Sequence, residues 1–197
     1  MFAKDLVKHA REFAGYLKNR QYEQTPAGVV FPQAHAFAHG MYSHRVNGGE
    51  WVHDPNLLPS EGLTYLLSLL GAGTKLAPWY IAPYAGAISP GANWTAATFP
   101  ATASEITSGT EGYTNATRPT WTAGTAAADT INNNSSPVTF TIITATTLLM
   151  NGVGMVSESA KGATTGKLLS ATRFGAQRSF ATGDLFDVKY AVSLTST

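Results

Sequence analysis

The chain has 197 residues, which is enough for one sizeable domain with an extension or for two small domains. Only 13% of the residues are charged and the net charge is +1. These values exclude nucleic-acid binding by a large basic patch, because affinity for phosphate grows with the number of cations engaged. The chain has no cysteine, which excludes disulfides and thiolate metal sites and fits a protein made in a reducing cytoplasm.

Charged residues are concentrated before residue 56, and the longer remainder is rich in Thr, Ala, Gly, Ser and Asn. Threonine favours extended backbone because it is branched at Cβ. We therefore expect two parts. Residues 1–55 are predicted to be an N-terminal helix followed by an extended arm, and residues 56–197 a β-sandwich body that begins with one short helix.

Apolar residues recur at intervals of three and four from Phe2 to Tyr22, which predicts an amphipathic helix. Lysines and arginines on the other face leave the apolar stripe in need of a partner, either the body or a neighbouring subunit. The same charges interrupt any apolar core of a signal peptide, so we expect no export by that route.

Residues 27–55 mix Gly, Pro, His and aromatic residues without clear periodicity, which predicts an irregular extended arm. Long segments of this kind are usually disordered or ordered by a partner. The aromatic content favours a partner over a solvated linker. The residues expected to bind that partner or neighbouring copies are Phe2, Leu6, Phe13, Phe31, Phe37, Tyr42 and Trp51.

The body opens with a predicted short helix, in which Pro59 lies near the first turn and Glu61 near the positive end of the helix dipole. We expect its buried face to consist of Leu63, Leu66, Leu67 and Leu70, and Gly71 or Gly73 to end it. This apolar stretch is interrupted and falls short of the roughly 20 residues that a membrane span needs. No membrane partner is therefore expected.

Strand patterns follow from Trp79 onward, separated by loops rich in Gly, Asn and Ser. The predicted strands are 79–81, 118–122, 138–142, 147–157, 167–174 and 185–194. Residues 138–142 alternate strictly, which places Val138, Phe140 and Ile142 on one face. The series predicts a mainly β fold, an antiparallel β-sandwich of jelly-roll type.

No motif in the chain predicts catalysis, so we expect a protein that is not an enzyme and needs no metal or cofactor. There is no Gly-x-Ser-x-Gly elbow, and no spacing marks a pair of opposed carboxylates. His35, His39 and His44 could form a zinc or nickel site, but Gly40 and the absence of a nearby acidic ligand weaken that alternative. Gly152 and Gly154 fit no phosphate loop and are interpreted as close-packing or turn glycines.

Several aromatic residues of the body could stack on sugars, although sandwich cores and subunit interfaces use the same residue types. This leaves one alternative function open. The chain could be a tail-associated or receptor-binding β-sandwich that recognises a host glycan through Trp94, Tyr113 or Trp121.

A series of short motifs in the body resembles the cement, or capsid-decoration, proteins of tailed bacteriophages. The motifs are Asn56-Leu57-Leu58-Pro59-Ser60-Glu61-Gly62-Leu63-Thr64-Tyr65-Leu66-Leu67, Trp79-Tyr80-Ile81, Gly112-Tyr113, Arg118-Pro119-Thr120-Trp121, Gly166-Lys167-Leu168 and Gly183-Asp184-Leu185-Phe186-Asp187-Val188. The resemblance covers roughly residues 56–194, and its motifs are structural, with no catalytic signature among them.

The resemblance implies a jelly-roll body that associates, often as trimers, and binds the outside of a phage head. We accordingly expect a structural virion protein on the capsid surface that bridges subunits of the major capsid protein and forms a homotrimer. Terminal extensions in such proteins commonly lie across neighbouring subunits, and we expect the arm up to Pro55 to do the same. The arm itself has no residue-by-residue match.

Overall fold

The computed structural model describes residues 22–24, 30–32, 36–71 and 73–196. It is mainly β, with antiparallel strands in two packed sheets, which confirms the predicted sandwich at that level. The chain divides into two units, residues 38–194 and the remainder, residues 1–37 with 195–197. The predicted amphipathic helix lies outside the described residues, apart from Tyr22, and the jelly-roll type stays a prediction.

In the smaller unit, residues 22–24 and 30–32 form an antiparallel pair of short strands. Strand β1 is Tyr22–Gln24 and strand β2 is Val30–Pro32. Glu23 lies opposite Phe31 in this pair.

One sheet of the body has six strands. They are β3 (Ala36–Val46), β4 (Val52–Pro55), β6 (Gly112–Tyr113), β8 (Thr130–Asn132), β9 (Val138–Ile143) and β12 (Leu185–Ser196). Their order is β4-β3-β12-β9-β6, and β8 pairs with the later part of β12. We call the face of this sheet that points away from the main core its outer face.

The other sheet has four strands. They are β5 (Trp79–Tyr84), β7 (Thr120–Trp121), β10 (Leu148–Val156) and β11 (Leu168–Phe180), in the order β11-β10-β5-β7. Two helices accompany it, α1 (Ser60–Ser68) and α2 (Phe99–Ala103). Each predicted strand after residue 78 overlaps a strand of these two sheets, although 118–122 does so only at Thr120–Trp121.

The structure differs from the sequence-based prediction at residues 36–55, which form β3 and β4 rather than an irregular arm. Alternate residues of β3, Gly40, Tyr42 and His44, are buried. The two strands are joined by a turn at Asn47 and Gly48, both at positive φ (51° and 71°), as a tight hairpin requires. Residues 38–55 fall in the same compact unit as residues 56–194.

The main core fills the space between the two sheets. Val138, Phe140 and Ile142 of β9 are buried on one face, as their alternation predicted. From β12, Phe186 is buried and its ring centroid lies 6.0 Å from that of Phe140. Burial of one large apolar side chain stabilises the fold by about 1.5–3 kcal/mol, so these strands contribute strongly to stability.

The four-stranded sheet is covered on both faces. Ile81 packs into the main core, whereas Ala82 and Tyr84 face a second cluster built with Trp94 and Phe99. A continuous run of buried residues along β5 and β10 follows from this double coverage.

Two glycines of β10 make the second cluster possible. A Cβ on Gly152 would lie 2.3 Å from the Tyr84 ring, and a Cβ on Gly154 would lie 2.8 Å from the Phe99 ring. Both distances are shorter than side chains tolerate, so the aromatic rings occupy the space that a side chain would need. The interpretation as close-packing glycines is confirmed.

Helix α1 lies where predicted, but its buried face is different. Gly62 and Tyr65 face the body, and a Cβ on Gly62 would lie 2.1 Å from the carbonyl oxygen of Leu169 in β11. The missing side chain lets the helix approach the strand backbone closely and decides which face is covered. Of the leucines expected to be buried, only Leu66 is partly buried, and Leu63, Leu67 and Leu70 are exposed.

A buried ion pair links the loops at one end of the sandwich. Arg118 donates from Nε to Glu105 Oε1 at 2.8 Å and from Nη2 to Glu105 Oε2 at 2.7 Å. Nη1 and Nη2 also donate to the carbonyl oxygens of Glu158 and Ala163, respectively. Both charged side chains are at most 1% exposed, so the attraction between them must compensate for the hydration that each loses on burial.

We predict that Glu105→Gln lowers the free energy of unfolding by about 3–5 kcal/mol, because it leaves the Arg118 guanidinium charged and unpaired in the interior. Urea unfolding measures the change. The control is Arg45→Gln, which breaks a partly exposed pair with Asp187 and should cost less than about 1 kcal/mol. Equal, small effects of the two substitutions would contradict this account.

Candidate interaction surface

The residues predicted to bind a partner fall into three groups in the structure. Phe2, Leu6 and Phe13 lie outside the described residues, and the side chain of Phe31 in β2 is likewise not described. Phe37, at the start of β3, is 48% exposed. Tyr42 and Trp51 lie in the body, and the structure gives them opposite environments.

Tyr42 is fully buried, so its side chain cannot contact a partner in this fold. Its ring centroid lies 4.3 Å from that of Tyr190, and its hydroxyl lies 2.7 Å from Ser170 Oγ on the opposite sheet. Burial holds the pKa of Tyr42 well above its ordinary value. Tyr42 thus occupies an inward position of a regular strand, which does not support the expected contact with a partner.

Trp51 lies half-buried between two cations on the exposed face of the six-stranded sheet. The Arg45 guanidinium is 4.5 Å from its ring centroid, and the Lys189 ammonium is 4.0 Å from it. Such contacts are worth about 0.5–1 kcal/mol at exposed sites. Arg45 Nε also donates to Asp187 Oδ2 at 2.8 Å, which holds the guanidinium in place.

A shallow cavity of about 440 Å³ adjoins this cluster. Its lining residues are Met41, Ser43, Trp51, His53, Asn134, Lys189 and Ala191. None of them carries a carboxylate, and Lys189, Asn134 and His53 supply hydrogen-bond donors. We call these residues, with Arg45, the outer-face cluster. Its chemistry suits a carboxylate or another acidic group on a partner surface.

Ser43 and His53 face each other on β3 and β4, with Ser43 Oγ 2.7 Å from His53 Nδ1. Nucleophilic catalysis also needs a third group that orients the base. Within the described part of the chain, no carboxylate binds the other ring nitrogen of His53. The pair is therefore a surface hydrogen bond between neighbouring strands.

Two of the three histidines that could have formed a metal site lie in different environments. His44 is buried and bonds through Nε2 to Asp54 Oδ2 at 2.9 Å, whereas His39 is exposed. His35 lies outside the described residues. Among the residues that the structure describes, no group of three or more His, Cys, Asp or Glu side chains could hold a metal ion.

The His44–Asp54 pair joins the two sheets at one edge. Asp54 Oδ1 accepts the backbone N–H of Gly175 in β11 at 2.8 Å. The His44 ring stacks at 4.1 Å from the Phe174 ring. Burial lowers the pKa of His44, although its bond to Asp54 acts in the opposite direction. His44 is thus held neutral, as a polar link inside an aromatic environment.

The aromatic residues of the glycan-binding alternative are not available on the surface. Trp94 is 4% exposed, Tyr113 is 0% exposed and Trp121 is 8% exposed. Trp121 Nε1 donates to the Tyr190 carbonyl, and Trp94 belongs to the second cluster. These three side chains serve packing, so sugar stacking on them is not supported.

We predict that stability falls as the pH is lowered below about 6.5, the ordinary pKa of histidine. The folded-state pKa of His44 is lowered, so below pH 6.5 the unfolded chain binds more protons than the folded chain. One such group contributes at most about 1.4 kcal/mol per pH unit. Arg178 and His53 act in the same direction as burial, and Asp54 opposes them.

Urea unfolding between pH 7 and pH 5 measures this dependence. His44→Gln keeps a donor for Asp54 but does not titrate, so its profile should be flatter than that of the wild type. His39→Gln, on an exposed side chain that is not among the groups acting on His44, is the matched control and should leave the slope unchanged. A wild-type profile that is already flat would refute the prediction.

In the described ranges, neither helix is long and apolar enough to span a lipid bilayer. Neither a protein-family profile nor a curated protein sequence matches this chain.

Proposed function

We propose that this protein is a structural virion protein that binds the outside of a phage head and bridges major capsid subunits. The proposal is carried by the ordered series of motifs between residues 56 and 188 that resembles capsid-decoration proteins. It includes self-association, as a homotrimer, and synthesis in the host cytoplasm.

The positions of the motif residues support a likeness of architecture. Glu61 Oε2 accepts the backbone N–H groups of Ala96 and Leu168, at 2.7 and 2.8 Å. Arg118 forms the buried pair described above. Asp184 accepts from the Ala181 backbone and from the Asn47 side chain. Residues that hold loops and strands together are those that a family of scaffold proteins without catalysis would share.

The outer-face cluster supports the proposal in a second way. A decorating protein binds a repetitive surface through many weak contacts, which gain strength because each linked contact raises the effective concentration for the next. Arg45 lies beside Trp51 on an exposed sheet, and arginine and aromatic residues are both enriched at protein interfaces. Lys189, which also contacts Trp51, adds a second positive charge. Acidic side chains on the capsid would complement them.

Quantitative mass spectrometry of purified virus particles tests the proposal, with the major capsid subunit as the internal standard. We expect a copy number comparable to that of the capsid subunit. A copy number near that of a tail component would instead favour a receptor-binding role. Absence from particles would remove the virion assignment.

The arm has its own test. If the apolar stripe of residues 2–17 binds the shell, Phe13→Asp should lower the occupancy of full-length protein on particles about tenfold or more, because a charge would replace an apolar contact. Lys8→Ser, on the predicted polar face, is the control and should bind as the wild type does. Equal binding by both variants would remove the stripe from the shell contact.

A further inference from the structure

The outer face of the six-stranded sheet already binds one carboxylate that belongs to the chain itself. Asp187 accepts from Arg45 Nε through Oδ2 at 2.8 Å and from the Thr139 hydroxyl through Oδ1 at 2.7 Å. Its side chain is 13% exposed, so protein donors replace much of its hydration. Arg45 is thus matched by a carboxylate of its own chain.

Lys189, two residues further along β12, has no such match. Within the described part of the chain, its ammonium forms no ion pair and lies over the Trp51 ring, 4.0 Å from the centroid. An ammonium gains more from a charge-assisted hydrogen bond to a carboxylate than from an exposed aromatic ring. A carboxylate that approaches this face can therefore draw Lys189 away from Trp51.

The cavity of about 440 Å³ beside Lys189 brings further polar groups to the same place. The side-chain amide of Asn134 forms no hydrogen bond with the described residues, although Asn134 lines the cavity. His53 binds Ser43 through Nδ1, which leaves Nε2 of its ring available to a ligand. No carboxylate is found among the described lining residues. The apolar part of the lining consists of Met41, Trp51 and Ala191.

We propose that this cavity binds the carboxylate of an aspartate or glutamate side chain on another protein, and that Lys189 selects it. The charge of the site is complementary to one carboxylate, because Lys189 is the single lysine or arginine among the described lining residues. Asn134 and His53 can donate further hydrogen bonds to the bound group. The apolar residues beside them favour an acidic residue that has apolar neighbours.

This inference deepens the proposed function, because it assigns a contact to the surface that would bind the shell. It also distinguishes the two cations of the outer-face cluster. Arg45 is paired with Asp187 and holds Trp51 from one side, whereas Lys189 is the cation that a partner can use.

Two other anionic partners fit the site less well. An acidic sugar would gain from stacking on an aromatic ring, but Arg45 and Lys189 already lie over the ring of Trp51. A nucleic-acid strand needs a series of cations along its backbone, which one lysine does not supply. An acidic side chain of a protein needs neither an open ring nor a series of cations.

An NMR chemical-shift titration of the full-length protein tests the inference. The probes are the tripeptides Leu-Glu-Leu and Leu-Gln-Leu, acetylated and amidated so that one side-chain charge distinguishes them. We expect Leu-Glu-Leu to shift the Trp51 indole and the Asn134 side-chain amide saturably at millimolar concentration. Leu-Gln-Leu should bind about tenfold more weakly or less, because a neutral amide forms no charge-assisted hydrogen bond with Lys189. Added salt should weaken only the binding of Leu-Glu-Leu.

Two variants remove the site by different routes. Lys189→Met should lower the affinity for Leu-Glu-Leu about tenfold or more, because it removes the charged donor. Asn134→Asp should also lower it, because it places a carboxylate of the chain itself in the cavity. Both side chains are at least partly exposed, so circular dichroism should show intact folds.

Lys161→Met is the matched control. Lys161 also lies over an aromatic ring, 3.6 Å from the centroid of Tyr113, but it does not line the cavity. Its replacement makes the same change of charge elsewhere on the body, so this variant should bind Leu-Glu-Leu as the wild type does.

Equal affinities for the two tripeptides, shifts confined to residues away from the cavity, or unchanged binding by Lys189→Met would each overturn the inference. Tighter binding of glucuronic acid than of Leu-Glu-Leu would replace the protein partner with an acidic sugar. Because the titration uses no particles, its failure would leave the particle copy number untouched. Conversely, a protein that binds Leu-Glu-Leu as expected but is absent from particles would keep the site and lose the virion assignment.

Discussion

The four-stranded sheet is covered on both faces, and this constraint governs most of the body. Covering its inner face requires the six-stranded sheet, whose Phe140 and Phe186 supply the core. The other face of the four-stranded sheet, which points away from this core, is covered by the segment that carries Trp94 and Phe99. The aromatic rings of that segment fit only because β10 has glycines at positions 152 and 154. The aromatic side chains of these two clusters are therefore committed to packing.

The alternation of apolar and polar residues was sufficient to predict strands that have one buried face and one face exposed to solvent. The alternation in β9 and the early part of β12 predicted the buried residues Phe140, Phe186 and Val188. It was insufficient for β3, because two of its inward positions are held by Gly40 and His44, which hide the apolar period. The Asn47-Gly48 turn was the available signal for a hairpin at that point, and it predicts one where periodicity does not.

Contacts between distant parts of the chain explain the remaining differences. The orientation of α1 depends on Gly62 meeting the Leu169 carbonyl, which its own leucine pattern cannot reveal. Of the outer-face cluster, the sequence indicated only Trp51. Arg45 and Lys189 could not be predicted as its neighbours, because strand pairing brings them together across more than half of the chain. The burial of Tyr42 was missed for the same reason as β3. Because the strand was not predicted, the inward position of Tyr42 could not be recognised.

The hydrogen bonds between the segment around β4 and β11 affect whether another chain can pair with this sheet edge. Each is the last strand of its sheet, and such strands normally offer unpaired backbone groups to other chains. Here the N–H of Gly175 binds Asp54, and Ala171 exchanges backbone hydrogen bonds with Leu57 at 2.8 and 3.0 Å. These groups of β11 are unavailable for strand addition. Along this part of its edge, the four-stranded sheet is thereby protected from pairing with a strand of another chain.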